Sequence, residues 1–182
     1  CLQSPYGLVL VVGPTGSGKT TTLHSAISVI NTPETKIWTA EDPVEITQTG
    51  LRQVQMNPKA GLTFAIAMRA FLRADPDVIM VGEMRDLETI ELALEAAETG
   101  HLVLSTLHTV SAAKTIDRVI DVFPGDRQAQ IRSALSESLT AVVSQTLLRR
   151  ADAPGRVMAM ELLLANTAVR NLIRENKIFQ IN

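Results

Sequence analysis

Short apolar runs alternate along the chain with longer segments in which apolar residues recur every three or four positions. The short runs are typical of buried strands, and the longer segments are typical of helices with one apolar face. The predicted strands cover residues 8–12, 36–40, 78–81, 102–106 and 156–164. The predicted helices cover residues 20–30, 63–73, 87–99, 112–122 and 167–175, and a polar loop precedes the second of them.

A longer helix is also predicted ahead of the closing strand. Its core side would hold Ile131, Leu135, Leu139, Val142 and Val143. Strands separated by helices favour right-handed crossovers and parallel pairing. The whole chain, residues 1–182, is therefore predicted to form one α/β domain, with a mostly parallel sheet covered by helices on both faces.

The composition narrows the classes of protein that this domain can belong to. The 182 residues are 46% hydrophobic and 20% charged, which is typical of a folded domain and excludes disorder as the main state. A formal charge of −2 gives no overall positive field to attract nucleic acid, and an aromatic content of 3% leaves few side chains on which bases could stack. The apolar runs are shorter than the roughly 20 residues that a transmembrane helix needs. Cys1 is the only cysteine and no initiator Met is present, so we expect a cytosolic segment of a longer protein.

A phosphate-binding pattern, G-x-x-x-x-G-K-[ST], lies between the first predicted strand and the first predicted helix. Its glycines allow backbone N–H groups to point at phosphate oxygens, and the positive end of the following helix adds to the attraction. Lys19 can reach the β- and γ-phosphates of ATP, and the Thr20 hydroxyl can ligate Mg²⁺. A tight turn without a ligand is the alternative. The predicted nucleotide-binding residues are Gly13, Pro14, Thr15, Gly16, Ser17, Gly18, Lys19, Thr20 and Thr21.

Acidic residues follow two predicted strands, at the edge where open α/β sheets bind ligands. Glu83 comes soon after strand 78–81, and Glu41 and Asp42 follow strand 36–40. One carboxylate can orient the attacking water, and another can hold Mg²⁺ directly or through its water shell. Glu83 and Glu41 are the candidates for these roles. The alternatives are that Glu83 merely closes a strand in solvent and that Glu41 or Asp42 caps the turn before Pro43.

The chain has three histidines, and they have different positions relative to the predicted strand ends. His108 follows strand 102–106, where it can bond the γ-phosphate and report its loss to the next helix. An ordinary hydrogen-bonded histidine is the alternative there. His101 begins that strand and is expected near the opposite edge of the sheet, and His24 on the first helix is predicted to be structural.

These motifs, in this order, resemble the secretion-ATPase superfamily, the hexameric motors of type IV pili and type II secretion. The resemblance covers essentially the whole chain. Besides the phosphate loop, residues 39–45 are similar to the family's Asp box, Gly82-Glu83 to its atypical Walker B, and residues 99–109 to its His box.

The resemblance implies a RecA-like P-loop NTPase domain that binds ATP and Mg²⁺ near the subunit boundaries of a homo-hexamer. In that setting Glu83 would assist the attack of water, Glu41 would support the metal or the water, and His108 would couple phosphate loss to domain movement. It also implies an N-terminal domain that supplies arginines to the nucleotide, and a C-terminal tail beyond this chain.

Within the family, the chain is most similar to the retraction branch. The four-cysteine insert of assembly ATPases has no counterpart in residues 145–156, so its metal site is absent from this sequence. A cytoplasmic retraction motor, peripheral at the inner membrane through a pilus platform protein, is therefore implied. An assembly or secretion ATPase, or a non-hydrolysing ATP-dependent interaction module, is the alternative. Residues 81–89, 111–118, 135–139 and 168–175 are similar to the retraction branch, and residues 54–55 and 61–65 to the assembly and secretion branch.

Two charged surfaces allow two interpretations. Arg170 and Arg174 lie one turn apart on the last predicted helix, and four glutamates line one face of helix 87–99. Each surface can contact a partner or can simply be solvated. The glutamates are Glu88, Glu91, Glu95 and Glu98.

Overall fold

The computed structural model describes residues 2–181, and Cys1 therefore lies outside the described residues. Within that range, seven strands form one sheet in the order β3-β2-β4-β5-β1-β6-β7. All neighbouring strands are parallel except β6 and β7, which are antiparallel. The strands are β1 (Gly7–Val12), β2 (Ile37–Glu41), β3 (Leu51–Gln55), β4 (Val78–Val81), β5 (Leu102–Leu107), β6 (Leu139–Arg149) and β7 (Arg156–Leu164).

Helices cover both faces of the sheet, as predicted. They are α1 (Lys19–Ile30), α2 (Phe64–Ala74), α3 (Leu87–Glu98), α4 (Ala112–Asp121), α5 (Gly125–Ser138) and α6 (Thr167–Arg174). Asp86 caps α3 by accepting a hydrogen bond from the Thr89 backbone N–H. Two short 3₁₀ segments, Pro58–Ala60 and Ile178–Gln180, complete the described structure. No helix among residues 2–181 has both the length and the apolarity to span a membrane.

The core divides into two clusters, one on each face of the sheet. Alternation along β1 produces this division, because successive side chains of a strand point to opposite faces. Leu8, Leu10 and Val12 belong to the larger cluster, which includes the apolar sides of α2, α3, α4 and α5. Val9 and Val11 belong to the smaller cluster, with apolar residues of α1. The first strand is thus buried on both sides, as its continuous apolar run predicts.

The predicted long helix is wrong beyond Ser138. The helix α5 ends there, and Leu139 begins β6, which pairs with β1 and β7. Apolar spacing suggested one continuous helix because Leu139, Val142 and Val143 continue the spacing of the residues before them. Several β-branched side chains in this segment favour a strand instead, and two neighbouring strands complete its backbone hydrogen bonds.

The segment predicted as a polar loop before α2 contains the edge strand β3. It alternates Leu51, Gln53 and Gln55 with Arg52 and Val54, so its apolar content is too low to indicate a strand. Its pairing with β2 is nevertheless regular over all five residues. An edge strand can be this polar because most of its side chains are not packed in the core.

The parallel strands bring distant segments to one edge of the sheet. The chain leaves β1, β2, β4 and β5 at their carboxyl ends, which lie side by side in the order of the sheet. The phosphate loop, Glu41, Glu83 and His108 follow or end these four strands. The topology therefore places all the predicted site residues at the edge where open α/β sheets bind ligands.

Candidate nucleotide site

A cavity of about 560 Å³ opens at this edge of the sheet. It is lined by residues of the phosphate loop and α1, by the acidic ends of β2 and β4, and by the end of β5. The predicted site residues that line it are Thr15, Gly16, Gly18, Lys19, Thr20, Thr21, Glu41, Glu83 and His108. Gly13, Pro14 and Ser17 do not line it directly, but they form the backbone of the loop that supports it.

The phosphate loop, residues 13–20, needs glycine where it approaches other parts of the chain. A Cβ atom on Gly13 would lie 2.1 Å from the carbonyl oxygen of Gln145, and its φ of +148° disfavours other residues. Gly18, with φ 86° and ψ 20°, adopts the left-handed conformation immediately before α1. These two glycines give the chain its close turn from strand to helix.

The start of α1 fits a negatively charged ligand. Within the described residues, no side chain caps this helix and its first turn contains no acidic residue. The first N–H groups of an uncapped helix are ready donors for phosphate oxygens, and the helix dipole adds a partial positive charge. An uncapped helix start without acidic residues therefore suits the phosphates of a nucleotide.

Lys19 is held close to the phosphate loop. Its Nζ donates hydrogen bonds to the carbonyl oxygens of Gly13 at 2.8 Å and Pro14 at 3.0 Å. Burial lowers the pKa of Lys19, and the opposing charge of Glu83 partly offsets this effect. Lys19 is therefore bonded to the loop that would hold phosphate, and it is close enough to Glu83, the predicted water-orienting acid, for their charges to interact.

Glu83 is held by two basic side chains. Its Oε2 lies 2.7 Å from a guanidinium nitrogen of Arg85, and its Oε1 lies 3.1 Å from Nε2 of His108. Burial alone would raise the pKa of Glu83, but hydrogen bonds from Arg85 and His108 outweigh it and lower the pKa. Glu83 therefore stays a carboxylate, a hydrogen-bond acceptor, near neutral pH.

Hydroxyl groups of β5 fix the backbone that carries Glu83. Ser105 Oγ donates to the carbonyl of Val81 at 2.8 Å, and Thr106 Oγ1 donates to the carbonyl of Gly82 at 2.6 Å. The backbone N–H of Met84 donates in turn to the carbonyl of Thr106 at 3.2 Å. Glu83 thus lies in a turn that is fastened on both sides to the neighbouring strand.

Glu41 and Asp42 occupy different environments at the end of β2. Glu41 is only 3% exposed, whereas Asp42 is exposed, and both line the cavity. The Glu41 carboxylate accepts hydrogen bonds from Thr39 and Gln53 and contacts His24. Neither Glu41 oxygen caps the turn before Pro43, so the capping alternative is not supported for this residue.

The three histidines lie in three different places. His108 is exposed and lies beside Glu83. His101 is buried at the opposite end of β5, with Nδ1 within 3.2 Å of the Ala96 carbonyl. His24, which the sequence predicts to be structural, is buried on α1 and contacts Glu41.

Gln145 is a site residue that the sequence reasoning missed. Its side-chain Nε2 donates a hydrogen bond to the backbone carbonyl of Ser17 at 2.7 Å, and its backbone carbonyl closely approaches Gly13. The predicted helix, whose core side extends to Val143, gives no reason to place Gln145 beside the phosphate loop. The correct strand assignment, in register with β1, would have placed Gln145 next to the phosphate loop.

The two charged surfaces also have structural roles. Arg170 is hydrogen-bonded to the carbonyls of Ala165 and Ser136 at 2.8 Å each and to that of Glu137. It therefore fixes the end of α5 and is not a free contact for a partner, whereas Arg174 is exposed. On α3, Glu88 pairs with Arg69 and Glu91 pairs with Arg127.

The strand, glycine-rich loop and helix, set in a mostly parallel sheet, define a protein of the P-loop NTPase class. The family model described as "Type II/IV secretion system protein" matches residues 1–177. The chain therefore belongs to the type II/IV secretion system protein family.

Relatives and a solved structure agree with this assignment. The chain is similar to the "Twitching motility protein" of Neisseria gonorrhoeae, at 58% identity over 99% of the chain and 49% of the relative. It is 55% identical to the "Type IV pilus retractation ATPase PilT" of Pseudomonas aeruginosa, over 97% of the chain and 52% of that protein. The structure titled "Crystal Structure of the Pilus Retraction Motor PilT and Bound ADP" superposes with a TM-score of 0.87 and 52% identity, over 97% of this chain and 52% of that one. The chain thus spans about half the length of these relatives, and the RecA-like fold is confirmed.

Proposed function

We infer that this domain binds and hydrolyses ATP as part of a hexameric motor that retracts type IV pili. The observation that carries the proposal is the convergence of the phosphate loop, Glu41, Glu83 and His108 on one cavity. The relatives named for twitching motility and pilus retraction support the biological role.

ATP would bind with its phosphates on the amides of the phosphate loop. Lys19 would exchange its bonds to Gly13 and Pro14 for bonds to the β- and γ-phosphates. Thr20 would ligate Mg²⁺ through its hydroxyl, and Glu83 or Glu41 would hold it through a water molecule. The ion would neutralise charge on the phosphates during transfer.

Glu83 is better placed than Glu41 to orient the attacking water. Among residues 2–181, each Glu83 oxygen has one partner and so keeps an acceptor site for water. Glu41 is more deeply buried, 3% exposed against 17% for the Glu83 side chain, and most of its acceptor sites are already used. His108, bonded to Glu83, would respond when the γ-phosphate leaves and pass the change to α4.

The proposal extends to the whole protein. A further domain preceding this one would supply arginines to the nucleotide, and six copies would place ATP near the subunit boundaries. The motor would act at the cytoplasmic side of the inner membrane through a pilus platform protein, without binding nucleic acid.

Two alternatives compete with retraction. The family as a whole includes secretion proteins, so a pilus-assembly or type II secretion ATPase is the alternative within the same class. A non-hydrolysing interaction module is the alternative in another class. The hydrogen-bonded carboxylate of Glu83 favours hydrolysis, since a module that only binds ATP does not need a water-orienting acid.

Two variants in the natural full-length protein test hydrolysis. Glu83→Gln should reduce phosphate release at least about 100-fold while ATP still binds. Lys19→Ala should abolish ATP binding in titration calorimetry, whereas the exposed Lys59→Ala should not. Unchanged turnover in the Glu83 variant would exclude its catalytic role, and no turnover by the wild type would favour the interaction module.

Deletion of the parent gene tests the direction of the motor. Hyperpiliated cells that cannot move by twitching would support retraction. Cells without surface pili would support assembly, and normal pili with a secretion defect would support the type II alternative.

A further inference from the structure

A buried group of polar side chains connects α1, β2 and β3 beside the nucleotide cavity. Its centre is the carboxylate of Glu41, whose Oε1 accepts hydrogen bonds from Thr39 Oγ1 at 2.6 Å and from Gln53 Nε2 at 2.9 Å. Its Oε2 lies 3.0 Å from Nε2 of His24, which is only 2% exposed. Buried polar groups such as these depend on one another for their hydrogen bonds.

The acceptor sites of Glu41 are almost fully used. Each carboxylate oxygen offers two lone pairs. Thr39 and Gln53 occupy both lone pairs of Oε1, and His24 occupies one of the two on Oε2. In the described part of the chain, a single lone pair therefore remains for a water molecule in the cavity that Glu41 lines. The hydrogen bond to Oε2 holds the carboxylate in one orientation, and this orientation sets the direction of the remaining lone pair.

The imidazole of His24 has Glu41 as its hydrogen-bond partner. A carboxylate can only accept, so the geometry assigns the ring proton to Nε2. The other ring nitrogen, Nδ1, is buried without a partner among residues 2–181. Among the described residues, the hydrogen bond to the Glu41 carboxylate is therefore the only one that this ring makes.

His24 also belongs to the helix that follows the phosphate loop. It lies four residues after Thr20, so both side chains are on the same side of α1. Its backbone carbonyl accepts a hydrogen bond from Gln48 Nε2 at 3.0 Å, in the loop that follows Glu41. The helix of the phosphate loop and the acidic end of β2 are thus connected through one residue.

We propose that His24 is a positioning residue, whose Nε2–H fixes the Glu41 carboxylate so that its free lone pair faces the water and metal region of the cavity. This role rests on the proposed hydrolysis of ATP. It does not require His24 to touch the nucleotide.

Three substitutions of His24 test the proposal in the natural full-length protein. In His24→Leu, kcat should fall about 10- to 100-fold, as for other residues that orient a ligand from behind, with ATP affinity within about threefold. In His24→Gln, kcat should largely recover, because the amide nitrogen of Gln reaches about as far as Nε2. In His24→Asn the donor falls near the position of Nδ1, so kcat should remain low. The Asn and Gln variants form a matched pair even if the Leu variant does not fold.

A double substitution separates positioning from a general structural role. If His24 acts through Glu41, the variant His24→Leu/Glu41→Gln should be no slower than Glu41→Gln alone. Additive losses, or equal kcat values for the Gln and Asn variants, would overturn the proposal.

A measurement independent of hydrolysis keeps this proposal distinct from the proposed function. The ¹⁵N chemical shifts of the His24 ring should show a proton on Nε2, and Glu41→Gln should perturb them. A proton on Nδ1 would contradict the positioning role even in an active enzyme. An inactive wild type with the expected ¹⁵N shifts would instead count against the hydrolytic function alone.

Discussion

The side-chain amide of Gln145 donates a hydrogen bond to the backbone carbonyl of Ser17 at 2.7 Å, although 128 residues separate them in the chain. Both side chains are buried, and the carbonyl of Gln145 also closely approaches Gly13. The phosphate loop is therefore braced by β6 from outside its own strand and helix. Its conformation depends on a strand from the distant part of the sequence.

Replacing Gln145 with Met should loosen the phosphate loop. The substitution keeps the volume of the side chain but leaves the Ser17 carbonyl buried without this donor, which costs about 1–3 kcal/mol. We expect a lower Tm and weaker binding of an ATP analogue in titration calorimetry. The neighbouring Thr146→Val, whose side chain points to the other face of β6, is the control. Equal analogue affinity in Gln145→Met and the wild type would show that the brace does not support binding.

Replacing Thr106 with Val should displace Glu83, although Glu83 itself is unchanged. The shape of the side chain is kept, but the carbonyl of Gly82 loses its donor. We expect a loss of about 1–3 kcal/mol in the free energy of unfolding and a fall in kcat. Thr106→Ser retains the hydroxyl and should restore both. If the Val and Ser variants hydrolyse ATP equally fast, the turn does not need this bond.

Replacing Arg85 with Ala should shift the pH dependence of hydrolysis. Burial opposes ionisation of Glu83, and the hydrogen bonds from Arg85 and His108 lower its pKa below the ordinary value of 4.5. Glu83 therefore contributes stability above its ordinary pKa, and this contribution is lost as the pH falls through the lowered pKa. Without Arg85 the pKa of Glu83 rises, so the acidic limb of the profile of kcat against pH should move to higher pH.

The pH profile needs a control with the same change in charge. Arg73→Ala removes an exposed arginine at the end of α2, away from the cavity-lining residues. Its profile should match that of the wild type. An acidic limb that moves equally in both variants would indicate a general effect of charge and would contradict the role of Arg85.

Replacing Arg170 with Met should destabilise the domain, whereas Arg174→Met should not. Arg170 donates to the final carbonyls of α5, and hydrogen bonds from a charged donor contribute about 1.5–3 kcal/mol each before solvent exposure weakens them. Urea unfolding of both variants measures the difference. Equal unfolding midpoints would mean that Arg170 is not a structural clamp and would return it to the candidates for a partner surface.

Site residues that their sequence neighbours identify are predicted well. Site residues that act through a contact between distant elements are not. The phosphate loop and Glu83 are recognisable because their neighbours in sequence are a buried strand and a helix or turn. The contact between His24 and Glu41 joins α1 to β2 and has no local pattern. To predict this contact, one must know the order of the strands in the sheet and which side of α1 faces the sheet.

The strands β3 and β6 show the same limit at the level of the fold. Residues 139–143 satisfy helical spacing, and their β-branched side chains become a strand signal only together with pairing to β1 and β7. Residues 51–55 are polar enough for a loop, and pairing with β2 determines their conformation. Both errors arise from tertiary contacts that outweigh local preference.

The chain passes from α5 to β6 without a connecting residue, since Ser138 ends the helix and Leu139 begins the strand. A single amino acid inserted at this point would have no loop to absorb it. It would force either an unpaired bulge or a slip by one position, and a slip turns every later side chain of the strand to the reverse face. The side-chain amide of Gln145 would then point away from the phosphate loop. The nucleotide site therefore depends on the direct junction between α5 and β6.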